Sequence, residues 1–272
     1  MSRLTIKEAL KIGANEIKSM KEAQILLSYF LNKDQLYLIL HENDTLKNQE
    51  KYFSLIKRAK NSEPIEYITN KVSFYSEEFF IQKGALIPRP ETEILIDKVV
   101  EISKKFQNPK IAEIGVGSGI ISIMLAKLIP NIEITATDIS KEAIQIAKKN
   151  ALHFGVEKKI EFINSSYLEN IDKSFDIIVS NPPYIANNFK VAQNLDYEPD
   201  IALFGGVEGD EILKNIIDIF IEKKASYLAC EMGYDQKESL SQYMTKKGIK
   251  NFSFYKDLAG FDRGFIGANN QR

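Results

Sequence analysis

Apolar and polar positions recur with helical spacing over residues 1–71. "TIKE" at Thr5 to Glu8 and "SMKE" at Ser19 to Glu22 fit the capping-box pattern, in which a hydroxyl and a glutamate satisfy free backbone donors at a helix start. In the following "AQILLSYFL", Ala23, Leu26, Leu27, Phe30 and Leu31 share one helical face. Leu36 to Leu40 and Leu46 to Ala59 carry further apolar helical stripes. Such faces need partners, so a small all-helical bundle is expected here, suited to recognising a substrate.

The pattern changes at Val72. "VSFYSEEFFI" sets aromatic and β-branched residues on either side of a polar "SEE", which predicts a β-hairpin, read as a linker over 72–87. Beyond Pro88, short β-type runs alternate with amphipathic helices: "KIAEIG", a helix from Gly119, "IEITATD", a helix from Ser140, "KIEFIN" and "FDIIVS". That alternation predicts an α/β domain over 88–272 built on a parallel sheet. "ASYLACEMG", "NFSFYKD" and "RGFIGAN" add three strands, the last two close enough to be antiparallel, for seven in all.

Composition narrows the function classes. Hydrophobic residues make up 44% of the 272 and charged ones 27%, a globular balance. Thirty-six basic against thirty-seven acidic side chains give a net charge of -1, without the positive field of a dedicated nucleic-acid binder. Cys230 alone excludes an internal disulfide framework, and His41 and His153 offer no metal-ligand spacing, so no metal is expected. The N-terminal stretch lacks a signal-peptide core and no run reaches the roughly 18 apolar residues of a membrane span, so a cytoplasmic protein is expected, a monomer by default.

Two motifs carry candidate chemistry. "AEIGVGSGI" follows a strand and opens a helix, with Gly115, Gly117 and Gly119 at alternate positions. Glycines there permit a tight turn and close approach of backbone to a ligand, at a helix start that offers free N–H groups. The spacing is not that of the dinucleotide fingerprint. Asp138 closes the next strand, where a carboxylate can accept hydrogen bonds from both ribose hydroxyls of an adenosine. In "VSNPPYIA", Val179 to Ala186, Pro182 and Pro183 end the strand "FDIIVS" and make a rigid turn. Asn181, the Pro182 carbonyl and the Tyr184 ring are thereby held in fixed relation.

Glu113 to Gly119 with Asp138 resembles the nucleoside-binding loop of Rossmann-like S-adenosylmethionine-dependent methyltransferases. Asn181 to Tyr184 resembles the motif of enzymes that methylate the amino group of adenine, cytosine or glutamine. "IPRPETE" (Ile87 to Glu93), "YEP" (Tyr197 to Pro199), "ALFGGVEG" (Ala202 to Gly209), "EMGYDQ" (Glu231 to Gln236) and "DLAGFDRG" (Asp257 to Gly264) then narrow the resemblance to the peptide chain release factor glutamine N5-methyltransferases. Glu113 stands where that family commonly has Asp, Tyr167 where it often has Trp, and Asn70 where it often has Gly.

The resemblance implies S-adenosylmethionine as cofactor, S-adenosylhomocysteine as product, and the glutamine of the Gly-Gly-Gln loop of release factors as acceptor. It implies cofactor contacts from Glu113, Gly115, Val116, Gly117, Ser118, Gly119, Asp138, Tyr167 and Asn181. Catalysis and substrate binding fall to Asn181, Pro182, Pro183 and Tyr184, with Arg89 also toward the substrate. An amide nitrogen is a poor nucleophile because its lone pair is delocalised into the carbonyl. The Asn181 side-chain oxygen and the Pro182 carbonyl would accept its two hydrogens and stabilise the charge that develops. Alternatives are a glutamine of a ribosomal protein, a nucleic-acid base amino group, or a non-catalytic nucleoside-binding module. Pro90 to Glu93 also reads as an ordinary helix start with proline in the first turn, Cys230 as core packing, and the lysine pairs Lys104-Lys105, Lys148-Lys149, Lys158-Lys159 and Lys223-Lys224 as solvation near helix ends.

Overall fold

The computed structural model describes residues 3–269. They form two compact units: one runs through Lys71 and includes Ala192–Tyr197, the other comprises Val72–Val191 and the chain from Glu198 onward.

The first unit holds α1 (Ile6–Ile17), α2 (Met20–Leu31), α3 (Gln35–Leu40), α4 (Gln49–Lys60) and α5 (Ile65–Thr69). Thr5 and Glu8 cap α1 with both bonds of the predicted box. Ser19 caps α2 by accepting from the Glu22 N–H at 3.2 Å, as half of the expected box. The helical reading from Leu46 starts too early. Thr45 bridges Thr5 and the Leu46 N–H bonds the Leu4 carbonyl, which keeps these residues extended until Asn48, at φ 52°, turns the chain into α4. Ala23, Leu26, Leu27 and Tyr52 are fully buried at the centre of this unit, each large side chain contributing about 2 kcal/mol. Asn70 ends α5 at φ 57°, the left-handed position in which asparagine can replace glycine.

The second unit opens, from the second residue of β1 (Lys71–Phe74), with the hairpin of β1 and β2 (Glu77–Phe80), then α6 (Thr92–Ser103), β3 (Lys110–Ile114), α7 (Ile120–Leu128), β4 (Glu133–Asp138), α8 (Lys141–His153), β5 (Ile160–Asn164) and β6 (Ile177–Ser180). There follow β7 (Ile185–Ala186), α9 (Asp200–Leu203), β8 (Phe204–Gly206), α10 (Glu211–Lys223), β9 (Tyr227–Glu231), α11 (Lys237–Lys246), β10 (Asn251–Lys256) and β11 (Asp262–Ala268). The seven expected strands make one sheet in the order β10-β11-β9-β6-β3-β4-β5. Pairs from β9 through β5 are parallel, while β11 runs antiparallel to β9 and β10. β6 is buried along its whole length, as a central strand of a parallel sheet is.

Three local details differ from the expectations. Pro90 lies in the turn before α6, which starts at Thr92 behind Glu91, rather than in its first turn. Lys148 and Lys149 sit within α8 instead of at its end. A small parallel sheet of β7 and β8 follows the proline turn and was not foreseen. Cys230 is fully buried, and burial pushes its thiol upward, in accord with a packing role.

Candidate active site

The sheet register brings the two motifs together. Ile114 of β3 pairs with Thr137 of β4 and with Ser180 of β6, and Ser180 pairs with Cys230 of β9. One residue further along each parallel strand stand Asp138, Gly115, Asn181 and Glu231. Four neighbouring strands therefore deliver a carboxylate, the glycine loop, the proline turn and a second carboxylate in one row at their C-terminal ends. From β3 the chain goes to β4 on one side, whereas β6 lies on the other. This is a topological switch point, where open α/β sheets bind ligands.

A cavity of about 310 Å³ opens at this edge. Glu113, Gly115, Val116, Gly117, Ser118, Asp138, Tyr167, Asn181, Pro182, Pro183 and Arg89 all line it. Gly119 and Tyr184 are the two expected site residues that do not. Gly119, at φ 87°, is the N-cap of α7, and a Cβ there would come within 3.0 Å of the Ala147 Cβ, so it permits α7 to pack on α8. Tyr184 is partly buried against the core and gives its hydroxyl to Glu231 Oε1 at 3.3 Å. Desolvation beside that carboxylate raises its phenol well above the ordinary range.

The glycine loop is pinned from two sides. The Gly115 and Val116 N–H groups donate to the Thr137 carbonyl at 2.9 Å, and the Gly117 N–H donates to Asp138 Oδ2 at 2.9 Å. Gly117 sits at φ 53°, with nothing within 4 Å of where a Cβ would be, so the backbone angle and not space calls for glycine. Asn150 of α8, fully buried, donates to the Ser118 carbonyl and exchanges bonds with both backbone groups of Phe80. It thus joins the loop to the hairpin, and nothing in the sequence singled it out.

Charge in the site is buried and tuned. Asp138 accepts from the Ser140 N–H through its other oxygen at 2.9 Å, yet burial still raises its pKa. Glu113 is 1% exposed and accepts from the Ser122 N–H at 2.9 Å and from the Ser122 hydroxyl, all through Oε2. Oε1 has no partner, and desolvation pushes the carboxyl up to about 8. Arg89 donates to Glu198 Oε1 at 2.5 Å, while Glu198 Oε2 accepts from the Ile87 N–H at 2.9 Å. Arg89 is therefore held by a buried carboxylate at the cavity wall. Glu93 accepts from the Tyr75 N–H at 2.7 Å and so supports the hairpin turn.

Behind the proline turn lies a chain of side-chain bonds. Asn181 Nδ2 donates to Thr92 Oγ1 at 3.0 Å, and Thr92 Oγ1 donates to Glu231 Oε2 at 2.7 Å. Thr92 and Glu231 are almost wholly buried, and desolvation raises Glu231 to about 7. Glu198, Thr92 and Glu231 all fall in segments that carried the family resemblance, but their roles become visible only once the sheet is assembled. "FGGVEG" packs here too: a Cβ on Gly205 would lie 2.5 Å from the Pro183 carbonyl oxygen, which shows how closely β8 backs the turn.

A sheet of this order, with a glycine loop, a strand-end carboxylate and an Asn-Pro-Pro-Tyr turn converging on one cavity, defines a Rossmann-like methyltransferase. The family described as "Methyltransferase small domain" matches residues 90–197, and the "PrmC N-terminal domain" matches residues 9–69. The release factor glutamine methyltransferase of Clostridium acetobutylicum is 35% identical over 96% of this chain and 97% of its own length. That of Clostridium botulinum is 38% identical over 93% and 91%. The chain belongs to the release factor glutamine methyltransferase family and is a methyltransferase. The crystal structure of a ribosomal protein L11 methylase from Lactobacillus delbrueckii subsp. bulgaricus, 23% identical, matches at a TM-score of 0.51 over 70% of this chain and 84% of that one, which shows the shared fold.

Proposed function

We propose that the protein transfers a methyl group from S-adenosylmethionine to the side-chain nitrogen of the glutamine in the Gly-Gly-Gln motif of peptide chain release factors. The observation that carries this reading is the strand-end row in which Asp138 and Gly115 stand beside Asn181.

The residues fit the cofactor. The buried Oε1 of Glu113 has no partner, and as a carboxylate oxygen it would accept from the ammonium end of an amino-acid moiety, whose positive charge would draw the carboxyl back to its ionised form. Both Asp138 oxygens accept backbone bonds, and the carboxylate keeps acceptor capacity for a ribose hydroxyl. Tyr167 gives a flat face at the cavity wall, and its hydroxyl is held by Asn215 Nδ2 at 3.1 Å. When bound, the cofactor supplies an electrophilic methyl on a sulfonium.

The protein's part is to aim and to stabilise. With Nδ2 committed to Thr92, Asn181 presents Oδ1 as its remaining acceptor. Together with the Pro182 carbonyl it can take both hydrogens of a glutamine amide, turning the nitrogen toward the methyl and countering the positive charge that grows there. Glu113, Asp138 and Tyr167 would hold the cofactor, whose sulfur would keep the C–S electron pair as the methyl is given up, while the methylated amide would release its extra proton to water. Orientation of this kind contributes on the order of 7–11 kcal/mol in favourable systems, so no strong base is required.

The acceptor class is tested by incubating the protein with labelled cofactor and, in parallel, a release factor, ribosomal protein and duplex DNA. The expected outcome is label on the release factor alone. Label on duplex DNA, with uptake that falls steeply as salt rises, would replace the glutamine reading by base methylation.

A further inference from the structure

We infer that Thr92 and Glu231 are positioning residues that fix which end of the Asn181 amide faces the methyl acceptor. The inference rests on the amide-methylating reading above and goes beyond it, because neither residue lines the cavity and both act through Asn181.

An asparagine amide has two nearly isosteric ends of opposite hydrogen-bonding sense. Only Oδ1 can accept from a substrate N–H, so a site that let the amide rotate by half a turn would present a donor to a donor. The structure removes that freedom by a relay. Glu231 Oε2, as carboxylate, can only accept, so the Thr92 hydroxyl must give its proton there, over 2.7 Å. The lone pairs of Thr92 Oγ1 are then what Asn181 meets, and they bond Nδ2 at 3.0 Å. The flipped amide would set Oδ1 against Oγ1 with no proton between them. Thr92 is 0% and Glu231 1% exposed, so no water replaces a broken link.

Sheet geometry explains why these residues can meet. Glu231 lies one position past the Ser180–Cys230 pair, level with Asn181 on the neighbouring strand, and Thr92 opens α6, which packs on β9. The second Glu231 oxygen takes the Tyr184 hydroxyl, so one carboxylate holds both the first and last residues of the Asn-Pro-Pro-Tyr turn.

The relay is sensitive to the charge on Glu231. A protonated Glu231 becomes a donor to Thr92 Oγ1 and frees the threonine proton to turn toward Asn181, where it favours the flipped amide. The charged and titratable groups facing Glu231 are Arg263 from β11, which favours its ionised form, Glu91 ahead of α6, which opposes it, Tyr184 after β6, and Tyr255 from β10. Arg263 is itself shared with Asp257, to whose Oδ2 it donates at 2.9 Å. Burial dominates and places the transition at about 7. The ordered state of the amide is therefore present above that pH and lost below it.

The test compares Thr92→Val, which keeps the shape and removes the hydroxyl, with Thr92→Ser, which keeps the hydroxyl and removes a methyl. The valine variant is expected to lose about 10- to 100-fold in kcat with cofactor affinity nearly unchanged, and serine to return to within about threefold of the natural enzyme. Valine as active as the natural enzyme, or serine as poor as valine, would overturn the relay and reduce Thr92 to packing. A second readout needs no turnover: the Asn181 side-chain amide resonance should shift with pH through about 7 in the natural protein and cease to do so in Thr92→Val. An amide that does not titrate, or titrates alike in both, contradicts the relay even if the acceptor proves not to be glutamine. Failure of the natural enzyme to methylate any glutamine overturns the functional reading instead.

Discussion

Replacing Asn181 by alanine is expected to lower methyl transfer by about 100-fold or more while leaving cofactor affinity within about threefold. The magnitude is that of removing one preorganised group aimed at charge that develops only in the transition state. Asn181 stands at the wall of the cavity, and its Nδ2 bond to Thr92 leaves Oδ1 as the acceptor for substrate. The binding features proposed for the cofactor, by contrast, come from the loop after β3 and from Asp138, which are pinned to each other and not to Asn181. Single-turnover rates and calorimetric cofactor titration on the same variant check both halves. Equal loss of both would show that Asn181 holds the cofactor or the turn rather than the acceptor.

The second large effect runs in opposite directions on stability and binding. Glu113→Gln is expected to make the protein more stable and to bind cofactor about 10- to 100-fold more weakly. The Glu113 carboxyl is raised from its ordinary 4.5 to about 8 because burial disfavours its charge. A group raised on folding contributes stability below its unfolded pKa and loses it as pH rises through the folded value. At pH 7 this costs the fold roughly 3 kcal/mol, and the penalty stops growing above about pH 8. Glutamine keeps an acceptor for Ser122 and carries no charge, so the urea midpoint should rise, and rise more at pH 8 than at pH 5. A midpoint unchanged or lowered at pH 8 would show that the buried carboxyl does not strain the fold. On the proposed reading, the orphaned Oε1 is a binding feature held at a cost in stability, and a risen midpoint is the expected sign of that cost.

The strands of the main sheet were legible because each is a short apolar run bounded by turn residues, and the glycine loop and proline turn stood out because their residue types impose special backbone angles. Their adjacency was not legible. It follows from the order β9-β6-β3-β4, which is set by crossovers rather than by any local pattern. β7 and β8 span two and three residues, too few for a periodicity to show. Leu46 carries the apolar spacing of a helix but is held extended by its bond to Leu4, a tertiary contact that overrides local preference. Thr92 reads as a helix-start residue and Glu231 as the end of a strand, and both readings are correct as far as they go. Their partnership depends on side chains 139 residues apart, and so does the orientation of Asn181. Tyr184 shows the reverse case, since its motif position suggests a ring open to the acceptor and the fold turns its hydroxyl toward Glu231.

Locating the methyl group distinguishes a release-factor glutamine from every other acceptor. Purified release factor is incubated with the protein and S-adenosylmethionine, beside a release factor whose Gly-Gly-Gln glutamine is alanine, and the products are mapped by mass spectrometry. One added methyl on that glutamine, absent from the alanine form, is expected. Methylation of both forms, or of neither while the cofactor binds, would contradict it and place the acceptor elsewhere.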